Sequence, residues 1–308
     1  MFTKLKLLIH LLPILIYLSG CGFSGNESDF GSSSSSSSSN WLTKTSIPTK
    51  RWGGSVGAVI GTKIYQIGGG VVDAADKVVE IYETTTDTWT TGTSLNNEQS
   101  YTLDAFAVSG GNIYMLTQRE EVYYPDNSSW SNLNLNLLNR GAVASFGTNS
   151  IYIFGGGSES SDNNYTRKLN TDNHTITLHS NMPRARAMGC AETDGSKIYL
   201  IGGLNSSGLI SYVDVYDPSS DNWETKSSTL PNPSKYFGCA YYQDKIYITG
   251  YYNDKIVNVY DVVNDTWSTI ESLPSNRSAV SVSIVNGVLY VMAGCCNDNN
   301  NNWAFDLK

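Results

Sequence analysis

Imidazole is almost missing from this chain: three histidines, His10, His174 and His179, in 308 residues leave little material for triads or imidazole-metal chemistry. Charge is sparse too, at 16% of residues, with 20 basic against 28 acidic side chains and a formal net charge of −8. Without the first twenty residues, which carry Lys4 and Lys6 and no acid, the balance is 18 against 28, or −10. Phosphate binding needs a basic face, so nucleic acid is excluded as a partner. No apolar run approaches the roughly 20 residues that carry a helix across a bilayer, and no stretch combines helical periodicity with caps. What the chain has instead is 28 Gly, 20 Tyr, 7 Trp and 40% hydrophobic residues. That is the composition of an aromatic, turn-rich globular protein, and it points to binding and scaffolding before catalysis.

The first forty residues read as an address and a tether. Lys4 and Lys6 precede an apolar run from Leu7 to Leu18, the length of a signal-peptide core. The run ends in Leu18-Ser19-Gly20-Cys21, which resembles the bacterial lipoprotein processing site. The resemblance implies that residues 1–20 are removed and that Cys21 becomes the lipid attachment point; the alternative is an ordinary cleaved signal with an incidental cysteine. Residues 21–39 include Ser32 to Ser39 unbroken and have no apolar surface to offset ordering entropy, so they are expected to form a flexible linker with a mean reach of roughly 25 Å. The expected location is the bacterial cell envelope, with the membrane met only through the N-terminal lipid.

From residue 40 to 308 a unit recurs: a basic residue, then Ile/Leu-Tyr, then Gly-Gly, later a Tyr and seven residues on a Trp. The first Tyr falls at Tyr65, Tyr114, Tyr152, Tyr199, Tyr247 and Tyr290. The seven-residue step joins Tyr82 to Trp89, Tyr123 to Trp130, Tyr216 to Trp223 and Tyr260 to Trp267, while Leu169 to Ile176 keeps the step without the aromatics. The sixth unit stops at Phe305-Asp306, and its missing piece sits at the other end, where Asn40-Trp41-Leu42-Thr43-Lys44 reads like Asn222-Trp223-Glu224-Thr225-Lys226. Pairing the two ends in one sheet closes a ring and removes its free edges. Six units at about 45 residues each suit the four-stranded blades of a propeller. The fold expected is all-β, a six-bladed β-propeller of antiparallel sheets closed by the N-terminal strand.

These residues resemble the kelch repeat, with Gly-Gly doublets at Gly68-Gly69, Gly155-Gly156 and Gly202-Gly203. The units with Leu116-Thr117, Thr249-Gly250 and Ala293-Gly294 at that place depart from it. The WD40 dipeptides are absent from the sequence.

The recurring basic position is the main candidate ligand site. Arg51, Arg140, Arg186, Lys235 and Arg277, with Tyr101 or Thr102 in the second unit, are related by rotation in a propeller. They are expected to ring one mouth of the channel, where converging guanidinium groups bind carboxylates; the alternative is ordinary ion pairing within the scaffold. The repeated Tyr and Trp are read as filling between sheets, and Trp52, Tyr251-Tyr252 and Trp303 as loop aromatics open to a sugar or peptide. Cys190 and Cys239 occupy the same place in adjacent units and are read as buried thiols, although export permits a disulfide. Cys295-Cys296 has no spaced second pair for zinc. The loops Asp73 to Asp76, Ser158 to Asn164 and Asn297 to Asn302 lack calcium-loop spacing. No catalytic residue, cofactor or metal is assigned.

Two functions follow. The first, favoured by what kelch domains generally do, is a non-enzymatic, monomeric envelope module binding a protein or a glycan, anionic if the basic ring is the site. The alternative is an exported carbohydrate-active enzyme, since this architecture resembles the sialic acid mutarotases. A deep cavity holding arginine and a carboxylate of raised pKa would favour the enzyme.

Overall fold

The computed structural model describes residues 39–51, 53, 56–69, 77–96, 105–116, 120–137, 140–157, 163–251, 254–295 and 300–308. Cys21 and the linker up to residue 38 lie outside the described residues, as do Trp52, Asp73 to Asp76, Tyr101, Thr102, residues 158–162, Tyr252, Cys296 and residues 297–299.

Short alternating runs separated by Gly, Asn and Asp turns form six four-stranded antiparallel sheets. Blade one is Val56–Ile60, Lys63–Ile67, Val79–Glu83 and Thr88–Thr91. Blade two is Phe106–Ser109, Asn112–Met115, Glu121–Tyr124 and Ser129–Asn132. Blade three is Ala142–Phe146, Ser150–Phe154, Thr166–Asn170 and Thr175–His179. Blade four is Cys190–Thr193, Ile198–Ile201, Tyr212–Asp217 and Asn222–Thr229, with an additional hairpin of Leu204–Asn205 and Gly208–Leu209 that the repeat did not foretell. Blade five is Gly238–Tyr242, Lys245–Thr249, Val257–Asp261 and Thr266–Ile270. Blade six is Ser281–Val285, Val288–Met292 and Asn302–Asp306, completed by Leu42–Thr43 from the other end of the chain.

The ring closes as the sequence indicates. Leu42 pairs with Ala304 and Thr43 with Trp303, and the Trp41 ring packs on Phe305 at 5.1 Å between centroids. An edge that would otherwise recruit another chain is thereby covered.

Within the blades, second strands such as Ile198–Ile201 are buried throughout because sheets pack on both of their faces, whereas the outer strand Asn222–Thr229 alternates exposed and half-buried residues. The buried Tyr82, Tyr123, Tyr216 and Tyr260 each carry a Trp ring 4.9 Å away, on Trp89, Trp130, Trp223 and Trp267. In the third unit Leu169 registers opposite Ile176 instead, in an aliphatic cluster. The repeat thus supplies the filling between blades and leaves the inner strands to shape the channel.

Candidate functional site

Three of the five basic candidates are locked inside their own blades. Arg51 lies just before the first strand of blade one; its guanidinium donates to the Gly68 carbonyl and pairs with Glu80 on the third strand at 2.5 Å. Arg186 repeats the arrangement in blade four, donating to the Gly202 carbonyl and pairing with Asp214, each at 2.5 Å. Asp214 also receives Arg184 and the Thr225 hydroxyl. Gly68 and Gly202 sit at φ +60° and +62°, the left-handed region that glycine enters without a Cβ penalty. A side chain at Gly202 would meet the Phe237 ring at 2.7 Å. The doublet therefore serves both close packing and the arginine. Arg277 is buried against the face of Trp303, 4.5 Å from the ring centroid. Burial lowers the pKa of Arg51 and Arg186, with Glu80 and Asp214 pulling the other way.

Arg140 and Lys235 are not equivalent to those three. Arg140, Met188, Tyr236 and Ala279 all take left-handed backbone conformations two residues before their first strands, and Gly53 takes one three residues before that of blade one. They form a belt of backbone bonds from blade to blade: Met188 donates to Arg140 at 2.8 Å, Tyr236 to Met188 at 3.4 Å and Ala279 to Tyr236 at 3.0 Å. Arg140 shares this belt position, two residues after the place held by Arg51, Arg186 and Arg277. Its side chain consequently lines the central cavity, where it makes no ion pair or side-chain hydrogen bond with any described residue. Lys235 falls one residue short of the belt and lies over the Tyr236 ring at 5.4 Å. Of the five, the structure brings only Arg140 to the cavity wall.

The cavity has a volume of about 310 Å³, and residues from the first strands of all six blades line it. Small side chains let those strands crowd the axis: a Cβ at Gly57 would stand 2.0 Å from Ser281 Oγ. Among the described residues the wall carries one carboxylate, Glu192, which keeps part of its surface open to the cavity although protein encloses it. Desolvation pushes its pKa up to about 8, against a smaller opposing effect of the Tyr241 backbone amide. Beside it runs a disulfide between Cys190 and Cys239, joining the first strands of blades four and five with Cα atoms 6.3 Å apart. Cys239 Sγ lies 3.5 Å from Glu192 Oε1. The reading of these cysteines as buried thiols is thereby corrected: neighbouring inner strands bring them within bonding distance.

Glu192 was missed by the sequence reading, yet a signal for it exists. Aligning the units on their second-strand Tyr places Ala58, Ala107, Ala144, Glu192, Ala240 and Ser283 opposite those tyrosines. Only the fourth unit carries a charge there. Trp303 needs correction as well: it belongs to a strand and is buried, not displayed in a loop. Tyr251 is half-buried, and Trp52 and Tyr252 lie outside the described residues. Of the acidic loops, Asn163 and Asn164 spend their side-chain amides on the Gly156 and Met182 carbonyls.

Comparison with known proteins agrees with this architecture. The KLHDC2/KLHL20/DRC7 Kelch-repeats domain matches residues 122–294 and the Kelch motif residues 51–96. Kelch-like protein 36 of Bos taurus is 28% identical over 274 residues, covering 80% of this chain and 44% of that protein. Kelch-like protein 7 of Rattus norvegicus is 32% identical over 97 residues, 30% of this chain and 16% of that protein. The chain thus spans less than half the length of these relatives. The solved structure of YjhT superposes with a TM-score of 0.70 at 13% identity, over 83% of this chain and 95% of that one. With nearly all of the YjhT chain built on this plan and a carboxylate and an arginine lining the same cavity, the expectation that the protein is more likely not an enzyme is withdrawn.

Proposed function

The chain belongs to the kelch-repeat family, and on that premise we propose that its propeller is an exported carbohydrate-active enzyme, similar to the sialic acid mutarotases, acting on an anionic sugar in the central cavity. One observation carries this reading: a carboxyl, Glu192, and a guanidinium that no other described side chain engages, Arg140, share a cavity otherwise walled mainly by small and apolar residues. Its volume of about 310 Å³ is at the lower end for ligand pockets and suits a monosaccharide rather than a polymer.

Interconversion of anomers consumes nothing. A proton leaves the anomeric hydroxyl, the ring carbon–oxygen bond opens and the ring oxygen gains a proton; closure on the other face reverses these transfers. A carboxyl enclosed beside the sugar can give and take that proton, and an arginine fork holds the sugar's own carboxylate in two parallel hydrogen bonds. Low surrounding polarity strengthens both interactions. The lipid on Cys21 and the linker of residues 21–39 belong to the same proposal, as the tether that would hold the enzyme at the envelope.

The test is proton NMR of freshly dissolved N-acetylneuraminate, following anomer equilibration with and without the protein. Acceleration is expected, with Glu192→Gln lowering kcat by about 100-fold or more, as loss of a general acid–base does, and Arg140→Ala acting chiefly on KM. Equilibration no faster than in buffer, for this sugar and for neutral hexoses alike, would overturn the proposal.

A further inference from the structure

Cys190, Glu192 and Cys239 bring two sulfurs and a carboxylate oxygen together, all within 4.8 Å of one another, on the wall of the central cavity. We infer that reduction of the Cys190–Cys239 disulfide converts this cluster into a site for a borderline-soft divalent cation such as Zn²⁺, bound by both thiolates and Glu192 with a fourth position open to the cavity.

One ligand separation already suits a tetrahedral site. Zinc takes thiolate sulfur at about 2.3 Å and carboxylate oxygen at about 2.1 Å, so tetrahedral angles place sulfur and oxygen about 3.6 Å apart. Cys239 Sγ and Glu192 Oε1 are separated by 3.5 Å. The two sulfurs need only part from their bond to about 3.8 Å, the separation that the same metal–sulfur distance requires. Their Cα atoms, 6.3 Å apart on neighbouring strands, leave that movement to side-chain rotation. Three protein ligands and an open position are the arrangement of zinc sites that accept an exchangeable group.

The chemistry balances with a dithiol or phosphine reductant. A phosphine attacks one disulfide sulfur and expels the other as a thiolate that takes a proton, and water then cleaves the thiophosphonium, releasing the second thiol and the phosphine oxide; with a dithiol, the second thiol attacks the mixed disulfide, and the reductant leaves as a cyclic disulfide. The cation then displaces the thiol protons, and that of Glu192 when protonated, into solvent. Two thiolates and a carboxylate around a divalent ion leave one net negative charge, and Arg140 lines the same cavity.

The full chain is reduced anaerobically with tris(2-carboxyethyl)phosphine and titrated with Co²⁺, the probe for a zinc-type site. The expected result is a thiolate-to-cobalt absorption in the near ultraviolet that saturates at one equivalent, is displaced by Zn²⁺ and is missing from the oxidised protein. C190S/C239S abolishes the band, which separates this pair from Cys21, Cys295 and Cys296. Glu192→Gln keeps the band but weakens binding by at least the roughly 10–100-fold that loss of a supporting partner costs a metal site. No saturable band in reduced protein of native circular dichroism overturns the inference. So does a band that survives in C190S/C239S, or loss of β-sheet signal on reduction, since no preformed site would then exist. The readout is metal binding and not turnover, so this inference and the enzymatic reading fail separately.

Discussion

The Tyr216 hydroxyl donates a 2.6 Å hydrogen bond to Asp221, and the same carboxylate oxygen accepts the backbone amide of Ser180, from the end of the preceding blade, at 2.9 Å. Tyr82, Asp87 and Thr45 repeat the arrangement between blades six and one, and between blades four and five Asp265 accepts Tyr260 on one carboxylate oxygen and Ser227 on the other. Each Asp sits in a tight turn at φ 52° to 55°, a conformation Asp tolerates better than most residues. A buried ring is thus tied to its neighbour through a charge at the rim.

These staples make the propeller acid-sensitive. The Tyr216 hydrogen bond is the largest influence on Asp221 and holds its pKa below the ordinary value. For Asp87 and Asp265 burial pushes upward, but the hydrogen bonds from Tyr, Thr and Ser outweigh it and the net shift is again downward. A carboxylate depressed in the folded state contributes stability above its unfolded pKa, about 3.9, and that contribution disappears as pH falls through the folded value. The urea midpoint is expected to fall below about pH 4. Asp221→Asn, which can still accept the Tyr216 bond, should flatten that fall; an unchanged pH profile would exclude Asp221 as a contributor.

The tryptophans divide in a second way. Trp89, Trp130, Trp223 and Trp41 donate their indole N–H to carbonyls at the end of the preceding blade: Thr45, Thr93, Ser180 and Glu271, at 2.8 to 3.1 Å. The Trp267 N–H is buried and meets no acceptor among the described residues. Trp223→Phe should therefore cost about 1 kcal/mol more than Trp267→Phe, because only the former loses a hydrogen bond. Chemical denaturation of the two variants reads the difference; equal losses would mean that the bond contributes nothing net.

The repeat was readable in the sequence because blade packing repeats its residues at fixed steps, and Trp41 could be placed beside Phe305 because closing the ring demands a missing strand. The site was less readable because it depends on departures from the repeat. Arg140 looked like another copy of Arg186, and only the register of the belt, two residues away, separates a cavity residue from a buried one. The partners Glu80 and Asp214 lie 29 and 28 residues beyond their arginines, on third strands whose register against the first no local spacing reveals. Cys190 and Cys239 likewise meet through the neighbouring of two blades, which sequence adjacency does not measure.

For Asp214 the consequence is energetic. It accepts Arg186 from a fully enclosed position and Arg184 and Thr225 from the rim. Removing one member of a buried pair leaves the other charged without compensation, at a cost of about 3–5 kcal/mol. Asp214→Ala should be destabilised by that amount. Asp214→Asn, which keeps acceptor capacity on one oxygen, should lose less. If both variants unfold at the native denaturant concentration, the pair does not hold blade four together.

The disulfide closes a loop of 49 residues between the inner strands of blades four and five. In the chain-entropy description a loop of that length restricts the unfolded ensemble by about 4 kcal/mol at 25 °C. Replacing both cysteines with alanine in otherwise native protein should lower the unfolding free energy by up to that amount, with the shortfall measuring how much structure the unfolded chain retains. The loss should appear in the unfolding transition of the whole ring, because blades four and five share the belt bond from Tyr236 to Met188 as well as the bridge. Hydrogen exchange at Cys190–Thr193 and Gly238–Tyr242 distinguishes the outcomes: uniform acceleration at both strands follows from a shared global opening, whereas acceleration confined to one strand would show that the bridge stabilises that strand alone.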